Sequence, residues 1–346
     1  MPELNRFPVV VNALGELSDI NLAASDEVGV SDRSVNDARG AGLAAVNVTV
    51  GYVFGPDDPV ERTRNDLAAW DAVLDAFSDR LMPVTDPAGF AAARAADKVG
   101  VIYGFQNAVQ VGAELQHLEE FIDRGVRIVQ LTYNDVNSFG AGSTAAEDLG
   151  LTTVGHELVG ALNDAKIMVD LSHSNRQTCV DAIAASAAPV SINHTGARAL
   201  NDIPRNKTDE ELRAVAESGG FVGIYFMPFL TADSHPEPLD IVRHLEHALN
   251  VCGEDHVGIG TDVGVVAIDD DELYFQRLRQ EHEERRSLGI AAQGELPDAP
   301  PFVAGLTGPT QFARLASMLA DRGHPPRVIE KVFGENFVRY AERVWR

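Results

Sequence analysis

Short apolar runs recur along this chain, and most are followed by a stretch in which apolar and polar positions alternate with helical spacing. Eight runs have the length and composition of strands: Val9–Asn12, Ala45–Val50, Val99–Phe105, Val126–Leu131, Ile167–Leu171, Val190–Asn193, Phe221–Tyr225 and Val257–Gly260. Helical patterns cover Ser31–Gly40, Pro59–Ser78, Gly112–Arg124, Thr153–Asp164, Arg176–Ser186, Asp209–Ser218 and Leu239–Cys252. Gly40, Gly125 and Gly219 stand where these patterns end, as expected of residues that close a helix in the left-handed conformation. Alternation of this kind predicts a parallel α/β architecture. Eight units whose strands end in polar residues predict a closed (β/α)8 barrel of the TIM type rather than a doubly wound sheet.

The pattern changes after the eighth run. Residues 263–305 open with Asp269-Asp270-Asp271-Glu272, continue with a polar helix at Gln276–Arg286, and run through a Pro/Gly/Ala stretch to Pro301. An excursion after a terminal barrel strand lies over the catalytic face, so this segment reads as a lid or as a solvated insertion. Thr310–Arg322 and Pro326–Val344 then read as closing helices within 306–346, so that residues 1–346 form a single barrel domain.

Composition narrows the functional classes. The 346 residues are 45% hydrophobic and 23% charged, an ordinary globular balance. The 28 basic and 52 acidic residues give a formal charge of -24, which disfavours nucleic acid and anionic membranes as partners. Cys179 and Cys252 supply neither a disulfide framework nor a cysteine-rich metal site. No basic-then-apolar leader and no run of ~20 apolar residues is evident, so a cytoplasmic location is expected.

The chemistry gathers at the strand ends, where Leu14, Glu16, Thr49, Tyr52, Gln106, Tyr133, His173, His194, Tyr225 and Asp262 fall. Side chains at that rim converge on one site. His173 and His194 close two adjacent strands, and two neutral imidazoles brought together suit a transition-metal ion; alternatively they are rim histidines satisfied by hydrogen bonds. Asp262 ends the buried run Val257-Gly258-Ile259-Gly260-Thr261 and is either a proton-transferring carboxylate beside a metal-activated water or a cap on the next segment. Glycine-rich phosphate loops are absent: Gly51 to Gly55 has no lysine, and Gly258-Ile259-Gly260 lacks a third glycine.

Several segments together resemble the renal (membrane) dipeptidase family. They are Asp170-Leu171-Ser172-His173, His194-Thr195-Gly196-Ala197-Arg198-Ala199-Leu200, Pro204-Arg205-Asn206, Ser218-Gly219-Gly220 and Val257-Gly258-Ile259-Gly260-Thr261-Asp262. Arg322-Gly323-His324 and Lys331-Val332-Phe333-Gly334-Glu335-Asn336-Phe337 resemble that family's C-terminal helices, so the likeness runs from about Gly42 to Tyr340. The resemblance implies a zinc-dependent barrel of the amidohydrolase type that hydrolyses dipeptides and is often a homodimer. It further implies that Arg205 binds a substrate carboxylate, a task suited to a guanidinium fork, although a structural ion pair is the alternative.

The departures from the family pattern are specific. Its first strand ends in His-x-Asp, where this chain has Asn12-Ala13-Leu14-Gly15-Glu16. Its metal-bridging glutamate falls at Gln106, and its substrate-facing histidine at Tyr133. One metal site is therefore expected to be dismantled. The other keeps His173 and His194, with Gln106 as a weak third ligand, and holds at most one zinc or other divalent transition metal. The expected function is a dipeptidase-type hydrolase of a dipeptide or related small amide or ester bearing a carboxylate. Asp262 is its general base and acid, Tyr133 an oxyanion donor, and Arg205, Tyr133 and Tyr225 face the substrate. The alternatives are a metal-independent lyase or isomerase using the same groups, and a non-catalytic small-molecule binder.

Overall fold

A computed structural model describes residues 10–22, 28–287, 296–297 and 299–346. Its strands are β1 (Val10–Asn12), β2 (Leu43–Thr49), β3 (Leu81–Pro83), β4 (Val99–Phe105), β5 (Val126–Gln130), β6 (Met168–Asp170), β7 (Ser191–Thr195), β8 (Phe221–Ile224) and β9 (Val257–Ile259). Eight of them run parallel in the order β1-β2-β4-β5-β6-β7-β8-β9, with β3 paired outside that path onto β4. Closure between β9 and β1 rests on Ala13 N donating to Ile259 O (3.0 Å) and Asp262 N donating to Leu14 O (3.0 Å). The Asn12 amide reinforces it, donating to Thr261 Oγ1 (2.7 Å) and accepting from Thr261 N (2.8 Å). The fold is the (β/α)8 barrel that the alternation predicts.

The helices are α1 (Asp32–Gly40), α2 (Pro59–Ala76), α3 (Ala88–Ala95), α4 (Leu118–Asp123), α5 (Thr153–Asp164), α6 (Arg176–Ala185), α7 (Asp209–Glu217), α8 (Pro238–Cys252), α9 (Asp271–Ser287), α10 (Gln311–Asp321), α11 (Pro326–Glu330) and α12 (Asn336–Val344). Two expected helices need correction, and β3 and α3 are elements that the pattern did not reveal. β3 is a three-residue strand ending in proline, and α3 begins without a side-chain cap at Pro87, so neither carries a strong local signal. The pattern at Gly112–Arg124 yields only α4, because Gly112 (φ 84) and Leu115 (φ 56) turn the chain before it. Pro326–Val344 is not one helix: a π-turn at Lys331–Glu335 separates α11 from α12. Val9, the expected start of the first strand, lies outside the described residues.

Strand periodicity of two sorts the barrel into faces. Val46, Val48, Val101, Val169, Leu171, Val222 and Ile259 pack outward beneath the helices. Ala45, Ile102, Ile128, Met168 and Phe221 form a separate cluster with Phe337, Tyr340 and Val344 of α12. That helix plugs the N-terminal end of the barrel, with Phe337 edge-on to Phe221 at 5.2 Å. Above this apolar floor the buried residues turn polar, with Asn47, Gln130, Asp170 and Asn193. The layer is tight: a Cβ on Gly260 would lie 1.9 Å from Asn193 O, so the strand leading to Asp262 must pass there as glycine. Among the described residues no helix is long and apolar enough to cross a membrane.

Candidate active site

The polar floor opens into a cavity of 770 Å³ at the C-terminal face, roofed by α9. Leu14, Glu16, Gln106, Tyr133, Asn134, His173, Arg205 and Asp262 line its barrel side, and Tyr274, Arg277, Glu281 and Arg285 its roof. Polar residues on separate strand ends thus meet in one place, as the barrel geometry requires.

The Asp170-Leu171-Ser172-His173 segment explains how two imidazoles are brought together. Asp170 Oδ1 accepts from Ser172 N (3.0 Å), Ser172 Oγ (2.5 Å) and Asn193 N (3.0 Å). Ser172 Oγ in turn accepts from His194 N (3.1 Å). One buried carboxylate therefore staples the end of β6 to β7 and fixes both histidines. Their Nε2 atoms lie 3.0 Å apart. His173 Nδ1 donates to Asn134 Oδ1 at 2.6 Å, because an amide oxygen can only accept, and this leaves the His173 Nε2 lone pair facing His194. Burial, then the nearby Arg205 charge, holds both imidazoles well below their ordinary value, so they are neutral.

Arg205 is 3% exposed and has no carboxylate within ion-pair distance among the described residues. Its guanidinium donates to Ser172 O (2.8 Å), to His194 O (3.3 Å) and, through Nη2, to His173 Nε2 (3.1 Å). Tyr225 lies fully buried behind it, 5.3 Å from the guanidinium, with its hydroxyl donating to Asn206 Oδ1. The expectation that Tyr225 faces the substrate is thus corrected: it backs Arg205 and does not line the cavity.

Asp262 stands at the seam of the barrel with φ 60, a conformation tolerated better by Asp and Asn than by most residues. Gln106 Nε2 donates to its Oδ1 at a long 3.5 Å. Enclosure by protein pushes its carboxyl up to about 7; Arg205 opposes that rise and Glu16 adds to it. Glu16 itself projects into the cavity, accessible from it yet walled by protein, which raises its carboxyl; its Oε2 accepts from Ser18 Oγ at 3.0 Å. Tyr133 stacks on His173 with ring centroids 4.4 Å apart.

Donor chemistry limits what the site can hold. Two converging Nε2 atoms fit one ion, and the His173 Nδ1 bond to Asn134 is the outer contact that orients a metal-binding imidazole. Among the described residues His194 Nδ1 is buried without a partner, so its outer contact is missing there. A second ion finds no donor in Leu14 and no charge in Gln106. Among the described residues no three His, Cys, Asp or Glu gather closely enough to hold a metal. The residues suit one weakly held ion and do not suit a bridged pair.

Sequence reasoning missed Asn134, Phe54 and Arg285. Asn134 adjoins Tyr133 and was within reach of a local argument. Phe54 and Arg285 come from a loop and the roof helix, and no local signal joins them to the rim.

Comparison with known proteins agrees with this architecture. The family model for membrane dipeptidase (Peptidase family M19) matches residues 9–289. An uncharacterized Klebsiella pneumoniae protein encoded in the pqqA 5' region is 30% identical over 302 residues, spanning 84% of this chain and 99% of that one. An amidohydrolase from Pseudomonas aeruginosa superposes with a TM-score of 0.83 at 32% identity, over 99% of this chain and 98% of that one. A Rhodobacter sphaeroides metallopeptidase, solved with a phosphinate mimic of the dipeptide L-Ala-D-Ala, shares the fold with a TM-score of 0.77 at 23% identity, covering 98% and 100%. The chain belongs to the membrane dipeptidase family, a family of metal-dependent hydrolases.

Proposed function

We propose that this protein hydrolyses a small amide or ester bearing a carboxylate, with a metal centre reduced to one weak site. The observation that carries this reading is that Asp262, Arg205 and His173 line one cavity, with His194 buried against His173 at 3.0 Å between their Nε2 atoms. With its carboxyl near 7, Asp262 exchanges a proton at neutral pH. As carboxylate it takes a proton from the attacking water; as acid it returns that proton to the leaving nitrogen or oxygen. Arg205 donates to the substrate carboxylate, and the Tyr133 hydroxyl donates to the carbonyl oxygen as it gains negative charge. When bound at His173 and His194, a divalent ion would polarise the carbonyl and acidify the water. Family membership and the likeness to the Pseudomonas amidohydrolase support amide hydrolysis.

Leu14 and Gln106 argue against the two-metal reaction, so plain dipeptides are expected to be poor substrates. The test is a panel of dipeptides and N-acylamino acids, assayed with and without added zinc. Cleavage of plain dipeptides with kcat/KM at or above ~10⁴ M⁻¹s⁻¹, in the ordinary enzyme range, would refute the specialised reading.

One observation favours a second reading. Arg205 Nη2 occupies the His173 Nε2 lone pair that an ion needs. If the guanidinium keeps that place, Asp262, His173 and Tyr133 act as a metal-free proton-transfer set of the lyase or isomerase kind. Turnover that survives a chelator in metal-free protein distinguishes the two.

A further inference from the structure

The roof helix α9 has no fully buried residue and is held to the rim by contacts such as Arg277 Nη1 donating to Leu22 O (2.8 Å) and Tyr274 against the Phe302 ring (5.6 Å). Arg285, near its end, reaches down to the barrel rim. Its guanidinium carbon lies 5.1 Å over the Phe54 ring, and its Nη2 donates to the Tyr133 hydroxyl oxygen at 3.5 Å. Phe54 stacks on Tyr133 at 5.9 Å with 23° between planes, and Tyr133 stacks on His173 at 4.4 Å with 26°. Arg285, Phe54, Tyr133 and His173 therefore form one column from the roof to the imidazole pair. Its lower end is fixed by the His173–Asn134 bond, and its upper end is carried by a helix with no buried residue, where local opening is easier than in the barrel core.

We propose that Arg285 is a positioning residue that acts through Tyr133, so that closure of α9 completes the active site. The inference rests on the hydrolase reading, in which Tyr133 donates to the carbonyl oxygen. A phenol carries one proton and accepts through its lone pairs. An N–H from Arg285 takes one lone pair, which restricts the hydroxyl rotor and aims its proton as a donor. The adjacent positive charge also polarises the O–H bond and strengthens that donation. The guanidinium carbon stands over the Phe54 ring while Nη2 reaches Tyr133, and a compact ammonium does not reproduce a planar fork that makes both contacts. With α9 open, Tyr133 keeps its stack on His173 and loses the group that aims its hydroxyl.

The test is a double-mutant cycle on the full chain, using the panel member hydrolysed fastest by the unaltered protein. Arg285→Met is expected to lower kcat about 10-fold, of the order of one charge-assisted hydrogen bond, with KM changed less than about 2-fold. Tyr133→Phe should lower it at least as much, and the double variant should be no worse than Tyr133→Phe alone. Arg285→Lys should recover only part of the loss. Amide exchange across 271–287 should quicken in Arg285→Met, a readout independent of turnover. Multiplicative losses in the double variant, a loss confined to KM, or unchanged exchange in α9 each overturn the proposal. A panel with no hydrolysed member overturns the hydrolase reading and, with it, the catalytic half of this proposal. The exchange measurement then decides separately whether Arg285 latches the roof.

Discussion

The two halves of the barrel rim are built differently. On the β6–β7 side, Asp170, Ser172, His173, His194 and Arg205 are all buried and bonded to one another. On the β1–β4 side, Leu14 offers no donor, Glu16 holds Ser18, and Gln106 reaches Asp262 only at 3.5 Å. A buried polar network must be nearly complete to be tolerated, so the first half is held in shape by the fold itself. The second half faces a cavity, where a residue can change without leaving a buried group unsatisfied. Asp262 sits at the seam between them, and so combines a fixed backbone position with a carboxyl that faces the cavity and takes a long bond from Gln106.

The largest expected effect falls on that seam. Asp262→Asn suits the positive φ and keeps the shape while removing the base, and should lower kcat by ~10²–10⁴-fold. Metal content should not change, because both histidines remain. Normal turnover in this variant would make Asp262 a structural residue.

Next comes the contrast in donor sets. Metal analysis is expected to find no more than one transition-metal ion per chain. Asn134→Ala removes the outer contact of His173 and should weaken metal affinity by ~10–100-fold, measured by competition with a chelator. Combining Leu14→His, Glu16→Asp and Gln106→Glu should raise stoichiometry toward two. Two ions bound by the unaltered chain would show that the β1–β4 half still coordinates.

Stability separates the halves by a smaller margin. Ser172→Ala leaves Asp170 short of a donor and His194 N short of an acceptor, at a cost of ~1–3 kcal/mol in denaturant unfolding. Gln106→Ala should cost under about 1 kcal/mol, because its long bond lies on the cavity wall. Equal costs would show that the two halves of the rim are held alike.

The smallest effect concerns pH. The folded Asp262 carboxyl, at about 7, lies above its ordinary 3.8, so the native state holds that proton more tightly. Its contribution is therefore favourable at low pH and is lost as pH rises toward 7. His173 and His194 have the opposite sign: held below 6.5, they destabilise the fold as pH falls below that value. Asp262→Asn should thus be more stable than the unaltered chain at pH 8, by about 1–2 kcal/mol after allowing for screening by cavity water, and the gain should vanish near pH 4. Thermal unfolding at the two values checks this; a gain equal at both would point away from titration of Asp262.

Much of the fold was legible in the sequence because barrel strands carry their signal locally. Apolar runs such as Ile167–Leu171 and Val257–Gly260 are buried on both faces, and the helices between them announce themselves by period. The same locality makes Asp170-Leu171-Ser172-His173 readable, since its carboxylate, hydroxyl and imidazole act within four residues and across one strand. Leu14 and Gln106 were readable as losses for a similar reason: in any fold leucine offers no ligand atom and glutamine carries no negative charge. What only the tertiary structure decided is which rim side chains reach the cavity. Tyr225 ends its strand as Asp262 does, yet Arg205 stands in front of it and closes it off. Arg285 meets Tyr133 across 152 positions of chain. That meeting depends on where α9 lies over the barrel, a matter of packing between distant segments that the period of neither one encodes.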